Sequence, residues 1–212
     1  MNASREYGWS RNVLLNQIKA DAYRTALSEN KTHNFNTALP EYLSEQAEEA
    51  IKSSYSLDFL GLTEGVKERE LENKMIEKIR DVIMELGNGF TFVGNQHKIS
   101  LGTKDYYINL LFYHRKLRCL VAIELKSGEF KPEYAGKLNF YLEVLDNSEK
   151  TEFENSSIGI LLCASKNNLE VEYALRIANK PIGVAEYQLT KDLPSDLREY
   201  LPNEEQIIEK LK

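Results

Sequence analysis

Glu124 and Lys126 are the residues whose types and spacing most directly suggest chemistry. They stand two apart in LVAIELKSG, a stretch that is otherwise apolar until its end. Period two sets Leu120, Ala122, Glu124 and Lys126 on one face of a strand, and Cys119, Val121, Ile123 and Leu125 on the other. Charge in an apolar strand is costly unless it is paired. Two readings compete: a strand end emerging into solvent, or a carboxylate and an ammonium held together in a site. The preceding strand, DYYINLLFYH, bears on the choice. If a tight turn pairs Tyr113 with Arg118, Asn109 lies opposite Ala122 and diagonal to Glu124, roughly 7–8 Å away between α-carbons. Asn109, Glu124 and Lys126 then share one face. Oxygen ligands converging on a hard cation beside an ammonium suit phosphodiester hydrolysis. The cation activates water and neutralises charge on the phosphate, and the lysine orients that water or stabilises the developing charge.

The elements that must position these residues can be read from periodicity. In residues 1 to about 60, Trp9, Val13, Leu14, Ile18, Ala22 and Leu27 recur at helical spacing, followed by a polar stretch over 28–37. Pro40 opens a second helix reaching about Ser53, and YSLDFLGL reads as an apolar loop docking onto the next part of the chain. A long helix is expected from an N-cap at Thr63 to a stop at Gly87, with Leu71, Met75, Ile79, Val82, Ile83 and Leu86 on its apolar face. Glu64 and Glu68 suit the positive end of its dipole. FTFVGNQ and HKISL then read as a short bent strand pair. Two longer strands come next, joined by a tight turn around Arg115–Leu117. Pro132 opens a helix to about Leu145, in which Tyr134, Lys137 and Tyr141 fall near one stripe. Those tyrosines either pack on the sheet with their hydroxyls in water or build a phosphate-facing wall with the lysine. The strand IGILLCAS, a helix over 169–178, the strand IGVAEYQL and a charged C-terminal helix complete a mixed α/β sandwich around a central sheet.

Composition narrows the function classes. At 212 residues the chain has room for one domain with an appendage. Its apolar run over 158–164 is far short of the ~20 residues of a membrane helix. The N-terminus has no apolar stretch of a secretory signal, so a cytoplasmic protein with no membrane association is expected. Cys119 and Cys163 sit in apolar runs without a CxxC, as buried reduced thiols would. His33, His97 and His114 form no HExxH, which disfavours a zinc site. The net charge of −6 is unevenly spread. Residues 87–137 hold eight basic against four acidic residues, a local +4, so the remaining 19 basic and 29 acidic residues carry −10. A basic binding face on an acidic body fits that asymmetry, as does a solvated surface cluster.

GFTFVGNQHKISLGTKDYYINLLFYHRKLRCLVAIELKSGEFKPEYAGKLNFYLEVLDN resembles the nuclease domain of the YhcG-type family, as do SSIGILLCASKNNLEVEYALRIANKPIGVAEYQL and the earlier GWSRNVLLNQI. That family belongs to the PD-(D/E)xK superfamily of restriction-endonuclease-like and Holliday-junction-resolvase-like enzymes. The resemblance implies a restriction-endonuclease-like mixed central sheet flanked by helices, with an N-terminal helical extension. The expected domains are 1–62, the remnant of a family N-terminal domain that is otherwise missing, then the nuclease domain 63–190, then a helical tail 191–212. It implies a Mg-dependent DNA endonuclease, with Mn able to replace Mg, acting in DNA repair or defence. Glu124 becomes a metal-binding carboxylate and Lys126 the catalytic lysine. The first acidic ligand of the pattern falls at Asn109, whose amide brings no charge, so impaired activity is implied; Asp105 lies too far along the strand to replace it. Glu72 and, after it, Glu70 are the candidates for a further ligand from the preceding helix. Gln96, Lys131, Tyr134, Lys137 and Tyr141 are the nucleic-acid-facing candidates. The alternative is a catalytically inactive nuclease fold that binds DNA or a protein. The amphipathic N-terminal helices suit a homodimer or a partner protein.

Overall fold

In a computed structural model of the chain, residues 32–189 are described. The expected helix on Trp9, Val13, Leu14 and Ile18 and the charged C-terminal helix lie outside the described residues. The elements are β1 (Thr32–His33), α1 (Phe35–Ala38), α2 (Glu41–Ala50), β2 (Ser54–Ser56), α3 (Glu68–Glu77), α4 (Ile79–Leu86), β3 (Phe90–Leu101), β4 (Lys104–His114), β5 (Cys119–Glu129), α5 (Pro132–Ser148), β6 (Ile158–Ser165), α6 (Asn168–Arg176) and β7 (Ile182–Gln188). The strands form one mixed sheet in the order β1-β7-β6-β5-β4-β3, with β2 also paired to β7. β3, β4 and β5 are an antiparallel meander, whereas β5, β6 and β7 are parallel. The parallel strands are joined by crossovers through α5 and α6, as parallel pairing requires.

Alternation along β5 sorts side chains into two cores. Cys119, Val121, Ile123 and Leu125 enter a cluster with Leu43 and Ala47 of α2, Leu71 and Met75 of α3, and Val82 and Leu86 of α4. Ala122 enters the opposite cluster with Leu138, Leu142 and Leu145 of α5 and Val171 and Leu175 of α6. The result is a sheet between two helical layers. Pro132 begins α5, where its missing N–H costs nothing. The Asn167 side chain caps α6 by accepting from the N–H groups of Leu169 and Glu170.

Four details differ from the sequence reading. The long helix is two helices: its first turn begins at Glu68 rather than Thr63, and Lys78, at φ −109° and ψ 29°, separates α3 from α4. The buried residues of both pieces enter one cluster. The FTFVGNQ–HKISL pair is one strand, β3, whose register with β4 shifts between Phe92 and Gly94. The β4–β5 connection is longer than a tight turn, because His114 pairs with Cys119 and Tyr113 with Leu120. Arg118 at the end of that connection takes a left-handed φ of 50°. Residues 32–62, read as an appended extension, lie within the main core. β1 and β2 extend the sheet along β7, and Phe35, Leu43, Ile51, Tyr55 and Leu57 are buried in the α3–α4 cluster.

Candidate active site

Three strands and two helices converge where β4 and β5 part. Their pairing runs from His114↔Cys119 to Leu110↔Ile123, although β4 begins at Lys104 and β5 continues to Glu129. One residue beyond the last pair, Asn109 comes level with Glu124. This is two residues from the offset that the tight turn implied, and it moves Asn109 from a diagonal to a facing position. The Asn109 side chain occupies the opening: its Oδ1 accepts the Leu125 N–H at 3.1 Å and its Nδ2 donates to Glu72 Oε2 at 2.7 Å. A carboxylate only accepts and an N–H only donates, so the neighbours determine which way the amide faces.

Glu72 comes from α3 and is buried. Its two oxygens also accept from the Gln96 amide, at 2.8 and 2.6 Å. Gln96 holds a left-handed φ of 45°, uncommon for a residue with a side chain and the kind of backbone outlier that gathers at functional sites. The conformation falls just after the register shift in β3. Glu70 is exposed on the same helix and does not join the cluster.

Glu124 is 1% exposed. Its Oε2 accepts from Lys137 Nζ of α5 at 3.0 Å, and Lys126 Nζ stands 3.8 Å from the same oxygen. Its Oε1 is buried with no hydrogen-bond partner among the described residues. Burial pushes the Glu124 carboxyl above the ordinary carboxylate range, against the opposing pull of Lys137 and then Lys126. For Lys137, burial disfavours the ammonium, but the Glu124 carboxylate outweighs it and holds the group above the usual lysine value. Lys126 donates to Glu68 Oε1 at 2.9 Å and to the Leu125 carbonyl at 2.8 Å. Tyr134 lies under its ammonium, 5.3 Å from the ring centre, and Tyr141 lies under that of Lys137 at 4.9 Å, both within cation–π range. Lys131, beside the start of α5, is exposed and outside this network.

Glu68 is the member that sequence reasoning missed, having been assigned to the helix dipole. Its signal was the four-residue spacing to Glu72, which puts both carboxylates on one face of α3. The assembled site therefore holds three carboxylates, two ammonium groups and two side-chain amides. The donor set suits a hard cation: an orphaned carboxylate oxygen on Glu124, a second buried carboxylate on Glu72, and oxygen chemistry throughout. Glu124 and Glu72 would hold such an ion. Among the described residues no group of three His, Cys, Asp or Glu side chains is arranged to bind a metal.

Comparison with known proteins bears on the same region. The model of the YhcG PDDEXK nuclease domain family matches residues 48–202, most of the chain. The chain belongs to this family. Among curated relatives of the YhcG domain is the protein named "Putative nuclease YhcG" from Escherichia coli (strain K12). It is 34% identical over 192 residues, which cover 90% of this chain and 51% of that protein. The chain thus spans about half the length of that relative. Solved structures similar to this YhcG domain include the crystal structure of a repair endonuclease from Pyrococcus abyssi (18% identity, 61% of this chain and 49% of that one, TM-score 0.41). Another is a complex of EndoMS with double-stranded DNA (20% identity, 61% and 46%, TM-score 0.41). Among the described residues no helix is long and apolar enough to cross a membrane.

Proposed function

We propose that this domain is a DNA endonuclease that hydrolyses phosphodiester bonds with a divalent cation, magnesium or manganese, held by Glu124 and Glu72. The observation that carries this reading is the parting of β4 from β5 around a buried carboxylate with a bare oxygen, Glu124 Oε1, beside the Lys126 ammonium. A cation bound there supplies charge neutralisation and a more acidic water. Lys126 offers a positive donor to a phosphate oxygen or to the attacking water, and Glu68 and the Leu125 carbonyl hold it in place. Gln96 and Asn109 fix the Glu72 carboxylate by hydrogen bonds. The cation–π contacts of Tyr134 and Tyr141 keep Lys126 and Lys137 over aromatic faces on the α5 side. DNA is the proposed substrate. It is bound through its phosphates by Lys137 and the exposed Lys131.

Asn109 sets the level of activity. An amide there contributes no negative charge, so cation affinity and cleavage are low. One observation favours a second reading, a DNA-binding module without cleavage: Asn109 and Gln96 already satisfy both oxygens of Glu72. Comparing the protein with its Asn109→Asp variant separates the two. Each is assayed on supercoiled, linear, branched and single-stranded DNA across magnesium and manganese titrations. The variant is expected to cleave faster, because a third anionic ligand recovers part of the several kcal/mol, on the order of magnitude, that a metal ion contributes to the transition state. Equal cleavage by both removes Asn109 from the ligand set. A folded, metal-binding variant that cleaves none of these substrates supports the binding module.

A further inference from the structure

We propose that Lys137 is the resting counter-ion of Glu124 and transfers to a DNA phosphate when substrate binds, so that DNA and the cation bind cooperatively. This inference rests on the reading of Glu124 as a cation ligand. Two lysines stand near Glu124 Oε2, and they are not equivalent. Lys126 is 3.8 Å away and committed to Glu68 at 2.9 Å. Lys137 is 3.0 Å away, and the carboxylate is its only ion-pair partner among the described residues. The neutralisation of a carboxylate whose side chain is 1% exposed therefore falls to an ammonium whose side chain is 45% exposed.

That asymmetry decides which partner can move. Glu124 is fixed on β5 inside the sheet, whereas Lys137 reaches in from the surface of α5 on a flexible four-carbon stem. An ammonium on Oε2 and a divalent cation on the same carboxylate repel each other, and their repulsion is strongest where water is excluded. While Lys137 remains, the cation is opposed. A phosphate at the mouth of the site offers Lys137 an equivalent anionic partner. Tyr141, with its ring 4.9 Å from the ammonium, keeps the lysine on that side of the helix. Once Lys137 pairs with phosphate, Glu124 Oε2 loses its hydrogen-bond donor and, with Oε1, would be open to a cation. Linkage makes the effect reciprocal: the cation tightens DNA binding by the same factor that DNA tightens cation binding.

The test is calcium binding by calorimetry on the full chain, with and without a short DNA duplex. Calcium stands in for magnesium so that the duplex stays intact. In the unaltered protein the duplex is expected to tighten calcium by about tenfold, within the usual range of coupling between sites. Lys137→Met and Lys137→Gln, each verified as folded by thermal melting, are expected to bind calcium more tightly than the unaltered protein without DNA. In them the duplex adds little, and Glu124→Gln removes the gain. Equal calcium affinity in all three proteins, lost in each on Glu124→Gln, overturns the role of Lys137 and leaves the cation reading standing. A gain that survives Glu124→Gln also overturns it. Absence of calcium binding in every variant, with or without duplex, overturns both the counter-ion role and the cation reading.

Discussion

Glu124 and Lys126 are buried charges in a strand that the rest of its residues make apolar, and their surroundings show how the domain tolerates this. Each charge has a partner of opposite sign: Lys137 for Glu124 and Glu68 for Lys126. Lys126 has a carboxylate on either side, Glu68 and Glu124, and the half-exposed Lys137 can turn to water, so removing one charge strands no other. We therefore expect Glu124→Gln and Lys126→Ala to affect chemistry far more than folding. Cleavage should fall by about a hundredfold or more, the scale of losing one preorganised electrostatic group. Stability should change by less than about 2 kcal/mol, inside the ordinary range for single substitutions. Cleavage rates and denaturant midpoints measured on the same preparations check this. Loss of the folded state in either variant would make the pair structural. Lys126→Ala should leave DNA affinity largely intact, since its ammonium is turned toward Glu68.

At the scale of elements, the site depends on how α5 is seated on the sheet, because α5 brings Lys137 to β5. That seat is set by Gly159 of β6. A Cβ at this position would lie 2.7 Å from Leu138 Cδ2 and 2.9 Å from both Leu138 Cγ and Leu142 Cδ1. Both leucines are fully buried, so they have little room to yield. Gly159→Ala is expected to destabilise the domain by about 1–3 kcal/mol, the usual cost of overpacking, as read from chemical denaturation. Since the added methyl pushes on the helix that carries Lys137, cleavage should drop at temperatures where the variant is still folded. α3 is placed differently. Its Leu71 and Met75 bury in the same cluster as Val82 and Leu86 of α4. Glu68 and Glu72 are thereby delivered to the opening between β4 and β5.

For the whole molecule, residues 32–62 and the basic surface lead to two further expectations. Beginning the chain at residue 63 would strip β1 and β2 from β7 and remove Phe35, Leu39, Leu43, Ile51, Tyr55 and Leu57 from the core. At roughly 1.5–3 kcal/mol for each large apolar side chain, that loss is comparable with or larger than a net stability of about 5–15 kcal/mol. The truncated chain is expected to show no cooperative unfolding transition by circular dichroism. The second expectation concerns DNA. Within the basic stretch, Lys98 is paired with Asp105, and Lys126 and Lys137 with site carboxylates. Lys104, Arg115, Lys116 and Lys131 are exposed and outside the ion pairs of the described residues. If each of these, and Lys137 once it leaves Glu124, met one duplex phosphate, log affinity would fall against log salt with a slope of about −4.5, that is 0.9 per contact. Fluorescence anisotropy over a salt series measures the slope, and Lys131→Ala should reduce it by about 0.9. A flat salt dependence would exclude phosphate-driven binding.

Local pattern by itself determined the alternation of β5, the start of α5 at Pro132, the order of strands and helices from β4 to β7, and the shared face of Glu124 and Lys126. These depend on periods of two and 3.6 and on residues with particular backbone demands, which neighbouring residues reveal without knowledge of distant ones. The same limit explains what the pattern left undecided. Whether Asn109 stood diagonal to Glu124 or facing it depended on a four-residue connection, and connection length changes register by whole residues. Glu68 and Glu72 could be placed on one helix face, but only packing of α3 against the sheet brought them to Lys126 and Asn109. Residues 32–62 read as an appendage because each short strand is too weak to recognise alone. They became part of the core through pairing with β7, which lies more than a hundred positions away in the chain. The ion pair between Lys137 and Glu124 was decided last, by the depth of a strand and the reach of a surface lysine.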